Sequence, residues 1–115
     1  MWLMTQHGFY SIVEKTPGEF HIRSRERGDL QNLIDRAPLP TATIEASPKN
    51  DYAFRIIGQR ELVQQVLQFL ATSLDYSNFK DHIDQSADQT SKSLAYHDVW
   101  GIMARALGSY GRGGS

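Results

Sequence analysis

At 115 residues, with 40% hydrophobic and 22% charged side chains, the chain carries apolar material for one core, which excludes a disordered or fibrous class. Twelve basic against thirteen acidic side chains give a formal charge of −1, so there is no global positive field for nonspecific nucleic-acid binding, and any phosphate recognition must be local. The absence of cysteine excludes disulfides, thiolate metal sites and thiol nucleophiles.

The first 27 residues read as a three-stranded meander. Trp2-Leu3-Met4-Thr5 is short and apolar, Gln6-His7-Gly8 supplies a turn, and Phe9-Tyr10-Ser11-Ile12-Val13 resumes with aromatic and β-branched residues. Thr16-Pro17-Gly18-Glu19 places proline and glycine at the two central positions of a type II turn. In the third strand, Glu19 to Arg25, Phe20 and Ile22 point one way and His21, Arg23 and Arg25 the other. Asp29 is placed to cap a short helix carrying Leu30, Leu33 and Ile34, which Ala37-Pro38-Leu39-Pro40 ends.

Thr41 to Glu45 reads as a fourth strand, Ser47 to Asp51 as a turn, and Tyr52 to Ile57 as a fifth strand with Tyr52, Phe54 and Ile56 on one face and Arg55 on the other. From Arg60 the period becomes helical, with Leu62, Val63, Val66, Leu67, Leu70 and Leu74 in one stripe. Asp75 to Lys80 breaks that helix, and the polar stretch from Gln85 to Lys92 reads as a loop. A last helix carries Leu94, Tyr96, Val99, Trp100, Met103 and Leu107. Core packing is the expected role of that stripe and of Trp2. The tail 108–115, with four glycines, is expected to be flexible.

Strands joined by hairpins and followed by helices predict a single α+β domain over residues 1–107. Its antiparallel sheet has about five strands and two main helices on one face, and the β-α-β-β-α portion from Phe20 to Leu74 is partly ferredoxin-like. No apolar run approaches the roughly 18–20 residues that span a bilayer, and no basic region leads into an apolar stretch at the N-terminus, so a cytoplasmic location is expected. A bare sheet face or open strand edge also favours a homodimer.

Several segments carry a resemblance. Met1 to Thr5 before Gly8 to Val13, Ile22-Arg23-Ser24-Arg25 with Gly28-Asp29-Leu30, Asp51 to Arg55, Leu74 to Lys80 and Tyr96 to Trp100 occur in the same order over nearly the whole chain. In these blocks the chain resembles a family of small uncharacterised proteins of bacteria and their phages. The resemblance implies one ancient domain. Because small phage-borne proteins often act by binding host defence machinery or nucleotide signals, it also implies a binding role.

The candidate ligand residues are Arg23, Arg25 and Arg55, with His21 on the same face and Arg27 and Lys15 near its edge. Guanidinium groups present fixed forks of donors that match phosphate or carboxylate, so three on one face make an anion site, whereas a solvated sheet face would pair them with Glu26, Asp29 or Asp51. The second candidate is the helix break at Asp75, Tyr76, Asn78, Phe79 and Lys80, which could dock a protein partner or close the core.

No cofactor or metal is expected, because neither His82 beside Asp81 and Asp84 nor His97 beside Asp98 has ligand spacing. The leading expectation is a noncatalytic module that binds an anion, whether nucleic acid, nucleotide or acidic protein surface. The alternatives are a protein-interaction inhibitor or adaptor using residues 75–80, and a small phosphodiester hydrolase in which His21, paired with Glu14 or Glu45, acts as base.

Overall fold

The computed structural model describes residues 1–39 and 42–108. The strands are β1 (Trp2–Met4), β2 (Phe9–Thr16), β3 (Glu19–Ser24), β4 (Glu45–Ala46) and β5 (Phe54–Gly58). The helices are α1 (Arg27–Arg36), α2 (Arg60–Thr72), α3 (Phe79–Gln85) and α4 (Thr90–Ala106), with a single 3-10 turn at Ala87–Gln89. The chain forms two compact units, one of Met1–Asp75 and a second that starts at Tyr76.

The first unit is an antiparallel five-stranded sheet in the order β1-β2-β3-β5-β4. Insertion of β5 between β3 and β4 is the split arrangement expected of a partly ferredoxin-like α+β fold, with the β1–β2 hairpin added at one edge. Gly18 takes φ +82°, the left-handed value that the third position of a type II turn demands, and so closes the β2–β3 hairpin.

One face of the sheet presents Tyr10, Ile12, Phe20, Ile22 and Ile56, which form a core with Leu30 and Leu33 of α1 and Val63 and Val66 of α2. Each fully buried aliphatic side chain of this set contributes on the order of 1.5–3 kcal/mol. The helices that cover the sheet are therefore α1 and α2, whereas α4 belongs to the second unit.

Four local expectations change. The fourth strand shrinks from residues 41–45 to Glu45–Ala46, with Thr41 outside the described residues. Residues 85–92 are helical in part, since the 3-10 turn leads directly into α4. Leu74 falls beyond the end of α2 and stands 60% exposed.

Asp29 is not a cap, because α1 starts two residues earlier and Glu26 occupies the N-cap position without a side-chain bond. Its buried carboxylate instead accepts the Phe9 N–H at 3.1 Å, and its carbonyl accepts the Tyr10 hydroxyl at 2.7 Å, so the first turn of α1 is bonded to β2.

In the second unit Tyr76, Phe79, His82 and Tyr96 form an aromatic cluster between α3 and α4, with ring centroids 4.9–5.7 Å apart. The α4 stripe expected to be core is exposed at Leu94, Trp100, Met103 and Leu107. Leu94 lies on the opposite side of α4 from Tyr96, and α3, roughly 10 Å long at about 1.5 Å per residue, runs beside α4 from Asp84 at Ser93 and His97 to Lys80 at Trp100, short of Met103 and Leu107. The expected tail belongs mostly to residues 109–115, outside those described.

A Cβ added at Gly8 would lie 2.5 Å from Asp29 Cγ, inside the group that joins α1 to β2. Gly8→Ala is therefore expected to lose about 1–3 kcal/mol, a drop in melting temperature of roughly 5–20 °C by calorimetry. Gly18→Ala has open space around it at φ +82° and should cost only about 1 kcal/mol. Equal losses at the two positions would show that the Asp29 contact is dispensable.

Candidate functional site

Strand register lines up one residue from every strand across the sheet. Trp2 pairs with Ser11, Ser11 with Arg23, Arg23 with Arg55, and Arg55 with Glu45. Directly opposed residues share a face, and these alternate with the core-facing Tyr10, Ile22 and Ile56, so the row lies on the face that neither α1 nor α2 covers. Val13, His21 and Ile57 make the next row. Phe9, two residues before Ser11, shares this face, its ring in a T-shaped contact with Trp2 with centroids 6.1 Å apart.

The two guanidinium groups are fixed by neutral partners. Arg23 Nη2 donates to Ser11 Oγ at 2.7 Å, and its guanidinium carbon lies 4.6 Å from the centre of the Tyr52 ring. Arg55 donates from Nη1 to His21 Nδ1 at 3.0 Å and from Nη2 to the Tyr52 carbonyl at 3.2 Å. A guanidinium has no acceptor, so His21 Nδ1 must be the unprotonated nitrogen and Nε2–H donates to Glu19 Oε2 at 3.0 Å. His21, only 7% exposed, thus has both ring nitrogens engaged and is a spacer beneath Arg55 rather than a free base.

No carboxylate among the described residues lies within ion-pair distance of Arg23 or Arg55. Glu45 stands at the end of the row, exposed, and is not in an ion pair with Arg55. The Nε of each arginine is also buried without a hydrogen-bond partner. Like charges set opposite each other across a sheet are destabilising, and each unsatisfied buried donor costs roughly 1–3 kcal/mol. Contact with the Tyr52 ring returns about 0.5–2 kcal/mol. A pair of fixed cations with no carboxylate in ion-pair contact has the donor geometry to hold an anion.

Of the four expected ligand residues, Arg23, Arg55 and His21 lie together on the uncovered face, and Arg25 meets Arg23 at the Tyr52 ring. Arg25 lies past the end of β3 and forms an exposed ion pair with Asp51 at 3.1 Å, while its guanidinium carbon stands 4.3 Å from the Tyr52 ring. Two further members escape the sequence reading, Ser11 and Tyr52, and Trp2 ends the same row outside the arginine pair. Tyr52 precedes β5, so strand parity does not govern it; its ring goes to the arginines instead of sharing the core face with Phe54 and Ile56. Trp2 is 73% exposed instead of core, a placement that follows from alternation once Leu3 is assigned to the interior.

The second candidate segment is engaged in holding its own fold. Asn78 caps α3 by accepting the Asp81 N–H at 3.0 Å, and Tyr76 and Phe79 pack in the aromatic cluster. Lys80 Nζ lies 3.8 Å over the Trp100 ring, and Asp75, in the first unit, accepts from Gln6 at 3.1 Å.

A further histidine, His7, is buried with Nδ1 accepting from Arg36 and Nε2–H donating to Ser73 Oγ at 3.0 Å. A serine oxygen that receives the imidazole proton is not activated by it as a nucleophile, so this pair is structural. Among the described residues there is no group of three or more His, Asp or Glu that could hold a metal ion, and no helix long and apolar enough to cross a membrane. Comparison with models of protein families, with curated proteins and with solved structures finds no match to this chain.

Asp84 at the end of α3 accepts the Ser93 hydroxyl and faces His97 Nε2 at 3.0 Å, which joins α3 to α4. The Ser93 bond first, and His97 second, hold its carboxyl below the ordinary carboxylate value. Because the folded value is depressed, the contribution is present above the ordinary value near 3.9 and is lost as pH falls through the lower one. Acidification below about pH 4 is therefore expected to lower the melting temperature of the helical unit slightly, in keeping with an exposed pair. The Asp84→Asn variant should lack that part of the acid response when circular-dichroism melts are compared at pH 3 and pH 6.

Proposed function

We propose that this chain is a noncatalytic binding module that recognises an anionic ligand through the Arg23–Arg55 pair. One observation carries the reading: two guanidinium groups are fixed side by side on the sheet face opposite the core, with no carboxylate partner among the described residues. Neutral acceptors position them, so their charge is not neutralised by the groups that hold them. Arg25, by contrast, has a carboxylate partner in Asp51.

Hydrolysis finds less support. The base it requires is His21, and both nitrogens of that ring are spent on Arg55 and Glu19. The adaptor reading through residues 75–80 loses its aromatic side chains to packing within the second unit.

Inorganic pyrophosphate, titrated at constant ionic strength, tests the reading through ligand-linked stability. At ten times its Kd a ligand specific for the folded state adds about 1.4 kcal/mol, roughly 6–11 °C in melting temperature for a unit of this size. The double variant Arg23→Gln/Arg55→Gln should melt within a few degrees of the parent, since no carboxylate is orphaned, yet lose the shift. Arg25→Gln should keep it. An equal shift in parent and double variant would place the anion elsewhere and end the proposal.

A further inference from the structure

The row that holds the arginines also holds an exposed aromatic plane, and the two lie in register. Trp2, 73% exposed, is the β1 member of the row, two strands from Arg23 and three from Arg55. At about 4.8 Å between strands, the tryptophan stands roughly 10 Å from Arg23 and 14 Å from Arg55. That separation is comparable to the distance from a base to the phosphates of the adjoining nucleotides in an extended strand.

The platform is held in place. The backbone bond from Ile12 N–H to the Met1 carbonyl, 2.8 Å, secures the start of β1, and the Phe9 ring makes a T-shaped contact with the indole. At the far end Glu45 places a negative charge opposite Arg55, which disfavours continuation of a polyanion over β4.

Resting on the anion-binding reading above, we infer that the ligand is a single-stranded polynucleotide, laid across β1, β2, β3 and β5 with one base on Trp2 and two phosphates on Arg23 and Arg55. Stacking on an aromatic ring tolerates any base, because every base has a π face. The row offers no paired donor and acceptor set for reading base edges beyond Ser11, whose hydroxyl oxygen is already occupied by Arg23. Recognition is thus of a strand rather than of a sequence. A duplex hides its base faces, so Trp2 cannot stack on them. An acidic peptide supplies charge for the arginines but nothing for the indole.

Fluorescence anisotropy with a labelled (dT)12, measured over a series of salt concentrations, tests this. Two phosphate contacts on a single strand predict a slope of log K against log salt near −1.4. Trp2→Ala, at an exposed position where folding is not at risk, should weaken (dT)12 binding roughly 5- to 150-fold, the range set by stacking one base on an aromatic ring. Trp2→Phe should recover most of that loss, and the pyrophosphate-induced melting shift should be unchanged in Trp2→Ala.

Binding of (dT)12 that is indifferent to Trp2→Ala, equal binding of a 12-base-pair duplex, or preference for a ten-residue polyglutamate would each overturn the polynucleotide assignment. In those cases a retained pyrophosphate shift leaves the anion site standing. Loss of both signals removes the inference and its premise together.

Discussion

The register between β3 and β5 sets Arg23 directly against Arg55, and the rest of the candidate site is arranged around the repulsion this creates. Two positive charges on adjacent strands would ordinarily be separated or neutralised by carboxylates. Here each is held by neutral groups: a serine hydroxyl and a tyrosine face for one, an imidazole nitrogen and a backbone carbonyl for the other. His21 can serve only as the neutral ring, and Glu19 fixes its orientation by taking the Nε2 proton. The arrangement leaves both cations without a carboxylate in ion-pair contact among the described residues.

Much of the sheet was legible because alternation is a local rule. Phe20, His21, Ile22 and Arg23 sort to two faces by parity alone, and the Pro17-Gly18 pair names its turn, so β2, β3 and their pairing could be read directly from residue order. The amphipathic stripe of α2 was equally plain. The partnership of Arg23 with Arg55 was accessible in outline, since both lie opposite the apolar residues of their strands. Its register was not, because the β3–β5 pairing spans an intervening helix and strand.

What could not be read depends on elements of irregular geometry or on distant partners. Tyr52 lies outside β5, where no period applies, and Asp29 is diverted from capping because Phe9 and Tyr10 arrive beside it from another strand. The exposed stripe of α4 was misassigned to the core for a different reason: periodicity shows that a helix has an apolar side, but not how long its neighbour is. Seven residues of α3 cannot cover seventeen of α4.

The three-residue length of β1 gives Trp2 a thermodynamic position of its own. As an edge strand, with pairing on one side only, β1 opens at a lower cost in free energy than the interior strands β2, β3 and β5. The indole is aligned with the arginines only while that strand is zipped to β2. The apparent affinity of any ligand that needs both therefore scales with the zipped fraction, and whatever reinforces the edge strengthens capture without touching the ligand.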